Sequence, residues 1–251
     1  MPAPAPELSG IFVPLPAPAR LLTELEARPM SAVRLMALQA ARKVATHYDA
    51  AAWLDAYRMV LLDTQGWDTL LPSAPRGSLL DVGAGIGDVH LELARLFTRA
   101  VATETSRGAA ARARERGVDA RVIDLSRDEW PSHDHFDVVS VLNVIDRADR
   151  PLALLDRAIS LVGTGGHLVI ATPLPLRPHV HRAGGTADPD EWLGVEGDTF
   201  ESSLRSLVAR VLAPRGLAVT RWTRTPYVSS GDAHARRYDL DDAILVCARQ
   251  R

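Results

Sequence analysis

Cysteine is nearly missing: Cys247 is the single one in 251 residues. That excludes an intrachain disulfide framework and a cysteine-rich zinc site, and it fits a reducing compartment, so a cytoplasmic location is expected. A surplus of one charge is missing too. Lys and Arg number 29 against 31 Asp and Glu, a net charge of -2, which leaves no basic footprint for nucleic acid. No apolar run reaches the roughly 20 residues a spanning helix needs, so no membrane partner is expected. Aromatics are sparse at 5%, yet 47% hydrophobic and 24% charged residues make the balance of a folded core. The segment MPAPAPELSGIFVPLPAPAR lacks the basic start and continuous apolar stretch of a signal peptide. Its alternating prolines read as a flexible or polyproline II arm over residues 1–20. The bias of arginine over lysine and the abundant alanine are habits of GC-rich bacterial genomes.

What is present divides into two textures. Residues 21–76 carry apolar positions three and four apart, and two or three helices forming an N-terminal cap are expected there. From Ser78 onward, short apolar runs alternate with amphipathic stretches. SLLDVGA, AVATE, ARVID, FDVVSVLN and HLVIATPL read as strands; GDVHLELARLF, RGAAARARERG and PLALLDRAISLV read as helices. Strands this apolar suit a parallel sheet covered on both faces. A loop-rich stretch, a helix near Phe200–Leu212 and two final strands, LAVTRWTR and DDAILVCAR, complete the chain. The fold class predicted is α/β: a Rossmann-like, seven-stranded, mostly parallel, doubly wound sheet over residues 77–251, with an N-terminal helical extension.

The strongest local signal is LLDVGAGIGDV. A strand ends in Asp81, and Gly83, Ala84, Gly85 and Gly87 then lead into a helix. Glycines permit the tight turn and let a ligand approach the backbone. The G-x-G-x-G spacing fits a dinucleotide fingerprint poorly. Glu104 ends the second strand, followed by Thr105, where such folds place a carboxylate that accepts from ribose hydroxyls. Asp124 ends the third strand, where an adenine contact and a plain strand cap remain equal readings.

A second group, SVLNVIDRADRP, follows the fourth strand, so Asn143 and Asp146 fall at the crevice where the strands' carboxyl ends meet. Spacing alone leaves a loop cap for Asn143, and an N-cap or an ion pair with Arg147 or Arg150 for Asp146, equally open.

Together with PLRPHVHRAGG and TRTPYVSSGDAHARRYDLDDAILV, these segments resemble the DREV, or methyltransferase-like protein 9, family over about Gly77 to Cys247. The resemblance implies a class I methyltransferase using S-adenosylmethionine and releasing S-adenosylhomocysteine. It further implies methylation of histidine Nπ in a peptide or protein, preferentially in His-x-His with a small middle residue. By the same resemblance Glu104 binds the donor, Asn143 and Asp146 hold the target imidazole, and Tyr238 borders the ring. Pro175, Arg177, His179, Tyr227 and Asp241 are expected along the substrate groove. Ile86 replaces an aspartate found in animal members, and Arg177, His179 and His181 depart from the family's PFHPYVE. The two His-x-His runs, at 133–135 and 179–181, have no further ligands at metal spacing, and no metal is expected.

Overall fold

The computed structural model describes residues 6–26, 31–56, 58–73, 76–182, 185–230 and 237–250. Along the chain run α1 (Pro6–Ser9), α2 (Ala19–Glu26), α3 (Ala32–Ala41), α4 (His47–Trp53), β1 (Met59–Val60) and α5 (Thr64–Leu70). Then come β2 (Ser78–Val82), α6 (Asp88–Ala94), β3 (Arg99–Glu104), α7 (Arg107–Glu115), β4 (Ala120–Val122), β5 (Phe136–Leu142), α8 (Pro151–Ser160) and β6 (Val162–Pro173). A small hairpin follows, β7 (Val180–Arg182) and β8 (Gly185–Ala187), and then α9 (Phe200–Leu207), which runs on through π and 3-10 turns to Arg215. The long strands β9 (Leu217–Ser230) and β10 (Arg237–Arg249) finish the fold.

Helix starts follow from local chemistry. Thr46 accepts from the Asp49 N–H at 3.1 Å, Asp63 from Gly66 at 2.8 Å and Ser106 from Ala109 at 3.0 Å, each satisfying a donor that the first helical turn leaves unpaired. Pro151 opens α8, where its missing N–H costs nothing.

The main sheet has the order β1-β9-β10-β6-β5-β2-β3-β4. β4, β3, β2, β5 and β6 are parallel neighbours, whereas β10 and β9 run antiparallel to this block and to each other. From β2 the chain first moves outward through β3 to β4, then crosses to β5 and β6 on the opposite side. The reversal between β2 and β5 is the switch point at which such sheets open a crevice beyond the strands' carboxyl ends. One face packs on α8 and α9 through Leu155, Leu204, Leu207, Leu245 and Cys247. The other packs on α5 and α6 through Trp67, Leu70, Leu93, Ile244 and Val246.

The structure departs from the expected seven strands in one respect. An eighth, β1, pairs Met59 with Ser229 and Val60 with Val228. Two residues are too few to show a period, so no pattern announced it. The sheet thus draws on the chain well before Gly77, and α5, expected in the cap, belongs to the core through the fully buried Trp67. Pro226 sits inside β9 and hid that strand's length. It is tolerated there because β9 pairs with β10 on one side and with β1 only at Val228 and Ser229 on the other.

The arm expected to be flexible is instead pinned from Leu8 to Val13. Leu8 is buried and its carbonyl accepts from Trp222 Nε1 at 2.8 Å. Phe12 packs on the Trp222 ring at 4.8 Å, and Val13 donates to the Trp222 carbonyl at 2.8 Å. Apolar residues between the prolines supply the adhesion. Residues 1–5 lie outside the described residues, as do Gly231 and Asp232 of the resemblance motif. Among the described residues no helix is long and apolar enough to cross a membrane.

Candidate active site

The glycine turn links β2 to α6. Gly83, Gly85 and Gly87 all have positive φ, at 73°, 58° and 86°. At Gly83 a Cβ would lie 2.6 Å from the Val144 side chain, so only glycine fits beneath the loop that follows β5. The N–H groups of Gly83 and Ala84 both donate to the Thr103 carbonyl, at 2.8 and 3.0 Å. Glu104, buried at the tip of β3, accepts from Gly85 N–H at 2.9 Å, Ser106 N–H at 2.8 Å and Thr105 Oγ1 at 3.3 Å. Burial pushes its carboxyl up, against the pull of those donors. A buried acceptor over a glycine cradle fits the hydroxyls of a ribose, and a nucleoside-bearing cofactor suits these residues.

Two neighbours are committed elsewhere. Asp81 is buried, with one oxygen accepting from Ser140 Oγ at 2.6 Å and the other 3.1 Å from His90 Nδ1. It stands at the end of β2 and lines the cleft, tying the strand to α6 and β5. Asp124 accepts from Ser126 N–H at 3.0 Å and Ser126 Oγ at 2.6 Å, so its side chain shapes its own turn. Of the two readings left open for it, the structure displays the cap.

The far side of the crevice carries the second group. Asn143 holds a left-handed backbone, φ 57°, which asparagine tolerates better than most side chains. Its N–H donates to Ala171 O at 2.9 Å. Asp146 is buried, with Arg147 Nη1 3.4 Å from one oxygen; burial raises its carboxyl, and Arg147 opposes this. Tyr227, on β9, is buried and donates its hydroxyl to Met59 Sδ at 2.7 Å. Asp81, Gly83, Ala84, Asn143 and Tyr227 line one cleft with Met59, Val89 and Leu142.

Strand alternation separates the two aspartates of β10. Asp241 faces α9, where Arg224 bridges it to Glu201 and lies 4.0 Å over the Phe200 ring. Its side chain is thereby held away from the crevice in which it was expected. Asp242 takes the opposite face, fully buried, beside Asn143 and near Asp146. Tyr238 shares the Asp242 face of β10 four residues earlier, exposed at the strand's outer end. From sequence, Asp241 and Asp242 read together as a loop-bonding or surface charge pair and only Asp241 is placed in the groove, although the alternation in DLDDAILV separates them.

The cap meets the site through α4. Asp49 accepts from Ser106 Oγ at 2.5 Å and Gly108 N–H at 2.8 Å, clamping α4 to the start of α7. Tyr48 lies close enough to both Glu104 and Asp146 to feel their charges. His47 stacks on His181, centroids 4.2 Å apart, and His179 meets His181 edge-on at 5.1 Å. Arg147 Nη1 lies 2.7 Å from His179 Nδ1, and the Asp146 carbonyl accepts from His179 N–H at 3.0 Å. Pro175 is half-buried and Arg177 exposed along the same segment. No cluster of three metal-ligating side chains with suitable geometry occurs among the described residues. Neither His47 nor Tyr48 carried any sequence signal, because their placement depends on how the cap docks.

Comparison with known proteins agrees with this geometry. The family model of the DREV methyltransferases matches residues 57–249. Among solved structures, the DhpI complex with S-adenosylhomocysteine superposes with TM-score 0.50 at 18% identity, covering 88% of this chain and 99% of that one. A SAM-dependent methyltransferase from Leishmania major gives TM-score 0.51 at 12% identity, covering 86% and 82%. At such identities these two speak for the shared fold alone. With the glycine cradle, the buried strand-end carboxylate and a family match over most of its length, the chain belongs to the DREV methyltransferase family and is an S-adenosylmethionine-dependent methyltransferase.

Proposed function

We propose that the chain methylates the Nπ atom of a histidine within a peptide or protein, in His-x-His contexts. The observation that carries this reading is a pocket of acceptors. Asn143 Oδ1 and Asp146 Oδ1 are buried without a hydrogen-bond partner. An unpaired buried polar atom costs about 1–3 kcal/mol, so the arrangement suits a group that brings donors and becomes a cation. A neutral imidazole does both. A phenol would have to place a developing anion beside two carboxylates.

The donor supplies an electrophilic sulfonium methyl group. Glu104 would hold its ribose hydroxyls, with Gly83, Ala84, Gly85 and Gly87 lying against it. Asp146, accepting N–H from Nτ, leaves the lone pair on Nπ and favours the charge that develops on the ring. Asn143 fixes the ring plane, Tyr238 borders it from the β10 side, and Pro175, Arg177 and His179 edge the peptide path with Tyr227 beneath. No separate base is required, since a histidine with pKa near 6.5 is mostly neutral at about pH 7.5.

A second reading, an imidazole-bearing small molecule as acceptor, is favoured by the narrow cleft that Met59 and Tyr227 border. One assay separates them: purified protein, S-adenosylmethionine, and a His-Ala-His peptide in competition with free histidine and simple imidazoles. Fragmentation mass spectrometry should place methyl on the peptide ring at Nπ. Methyl only on the small imidazoles would favour the second reading, and an unmodified set would end both.

A further inference from the structure

Asp242 is the buried group the mechanism above leaves unexplained. It sits mid-sheet on β10, opposite Pro173 of β6 and Thr225 of β9. Its exposure is 0% and neither oxygen has a hydrogen-bond partner. No salt bridge reaches it among the described residues: Arg224 is held by Asp241 and Glu201 on the opposite face, and Arg147 acts on it only at a distance. A carboxylate in such a place is costly unless a donor meets it.

Its neighbour supplies one. Asn143 is the only asparagine in the chain. Its backbone is held by the left-handed turn and by the bond to Ala171, so the direction of its side chain is constrained. Asn143 Oδ1 is buried and unpaired, while the side-chain amide stands beside Asp242 and draws its carboxyl downward. Burial works against that pull and is the larger effect. The two groups lie side by side without yet meeting ordinary bond geometry. Were the amide turned over, two acceptors would face each other and the NH2 would point at the target.

We propose that Asp242 is a positioning residue: it accepts from the Asn143 Nδ2 amide in the loaded site, so that Asn143 Oδ1 is the atom presented to the target ring. The inference rests on the histidine reading for its substrate but not for its contact. Asp242 never touches the acceptor; it orients the residue that does.

The only asparagine makes a direct test available. Protein labelled with 15N at the asparagine side chain gives a single NH2 pair, and it belongs to Asn143. Asp242→Leu removes the acceptor at nearly constant volume, and Asp242→Asn keeps an acceptor. With S-adenosylhomocysteine bound, the Asn143 pair should shift and exchange faster in Asp242→Leu and stay near wild type in Asp242→Asn. On a His-Ala-His peptide, misorientation of the amide should lower kcat by about 10²-fold in Asp242→Leu, with KM and S-adenosylhomocysteine affinity nearly unchanged. If Asp242→Leu fails to fold, Asp242→Ala is read in its place. An Asn143 pair that is the same in wild type and the acceptor-free variant would overturn the proposal. So would full kcat in that variant. If the wild type methylates no histidine peptide, the substrate reading falls, and the Asn143 resonance alone decides whether Asp242 holds the amide.

Discussion

Asp146 shows how much one side chain in this site is asked to do. It is buried, its carboxyl is raised by burial, and the cation beside it, Arg147, is shared with His179. Asp146→Ala should therefore reduce kcat by about 10²-fold or more, the scale of removing one preorganised electrostatic group. S-adenosylhomocysteine affinity, measured by calorimetry, should change little, because in the proposed arrangement the donor lies against Glu104 and the glycine turn. Unaltered turnover in that variant would take Asp146 out of the mechanism. At this scale the sequence was partly legible. The glycines and Glu104 could be read because a tight turn and a strand-end carboxylate are local demands. Asp241 and Asp242 could not be told apart by chemistry, since they are identical side chains one residue apart. The pairing of Asp242 with Pro173 decides which of them faces the crevice.

Among the elements, α4 meets the site from the cap, and its docking should be sensitive to acid. Burial first, then the neighbouring His181, Arg42, Arg147 and His179, push the His47 imidazole down to about 3. Burial, His179, Arg147 and Arg42 take His181 down to about 4. Unfolded or undocked, both rings would take a proton near 6.5. Groups whose folded value is lowered add stability that is complete above 6.5 and is lost as pH falls toward 4. The docking of α4 should weaken across that window. Hydrogen–deuterium exchange of residues 46–54 should then rise between pH 7.5 and 5, after correction for intrinsic rates. His181→Phe keeps a ring in the stack but cannot titrate, so its exchange should depend less on pH. A rise as steep as in wild type would show that the stack is not the sensor. Here the sequence was least informative. Helical periodicity gave the existence of cap helices, but Asp49 meeting Ser106 and His47 meeting His181 are contacts between segments far apart in the chain. Likewise β1 was invisible, and β9 was cut short because Pro226 reads as a strand breaker until its unpaired edge is known.

For the whole molecule, the segment that follows the cap helices reaches the cleft through Met59 of β1. The cleft bounded by Met59, Gly83, Asn143 and Tyr227 has a volume of about 20 Å3, room for about one water. A nucleoside is larger than that space, so donor binding should displace the Met59 side chain that borders it. Binding of S-adenosylhomocysteine should accordingly change exchange protection across residues 46–60 far more than across β5 or β6. Protection changes confined to the glycine turn would separate cap from cleft. The near absence of cysteine also has a practical use. Cys247 is fully buried between the sheet and its helices, and burial pushes its thiol up to about 12, so at neutral pH it offers alkylating reagents almost no thiolate. A thiol introduced on the cap, such as Val44→Cys at a site 85% exposed, would take a fluorophore without background. Any movement of the cap that accompanies donor binding would then be read through a single engineered sulfur.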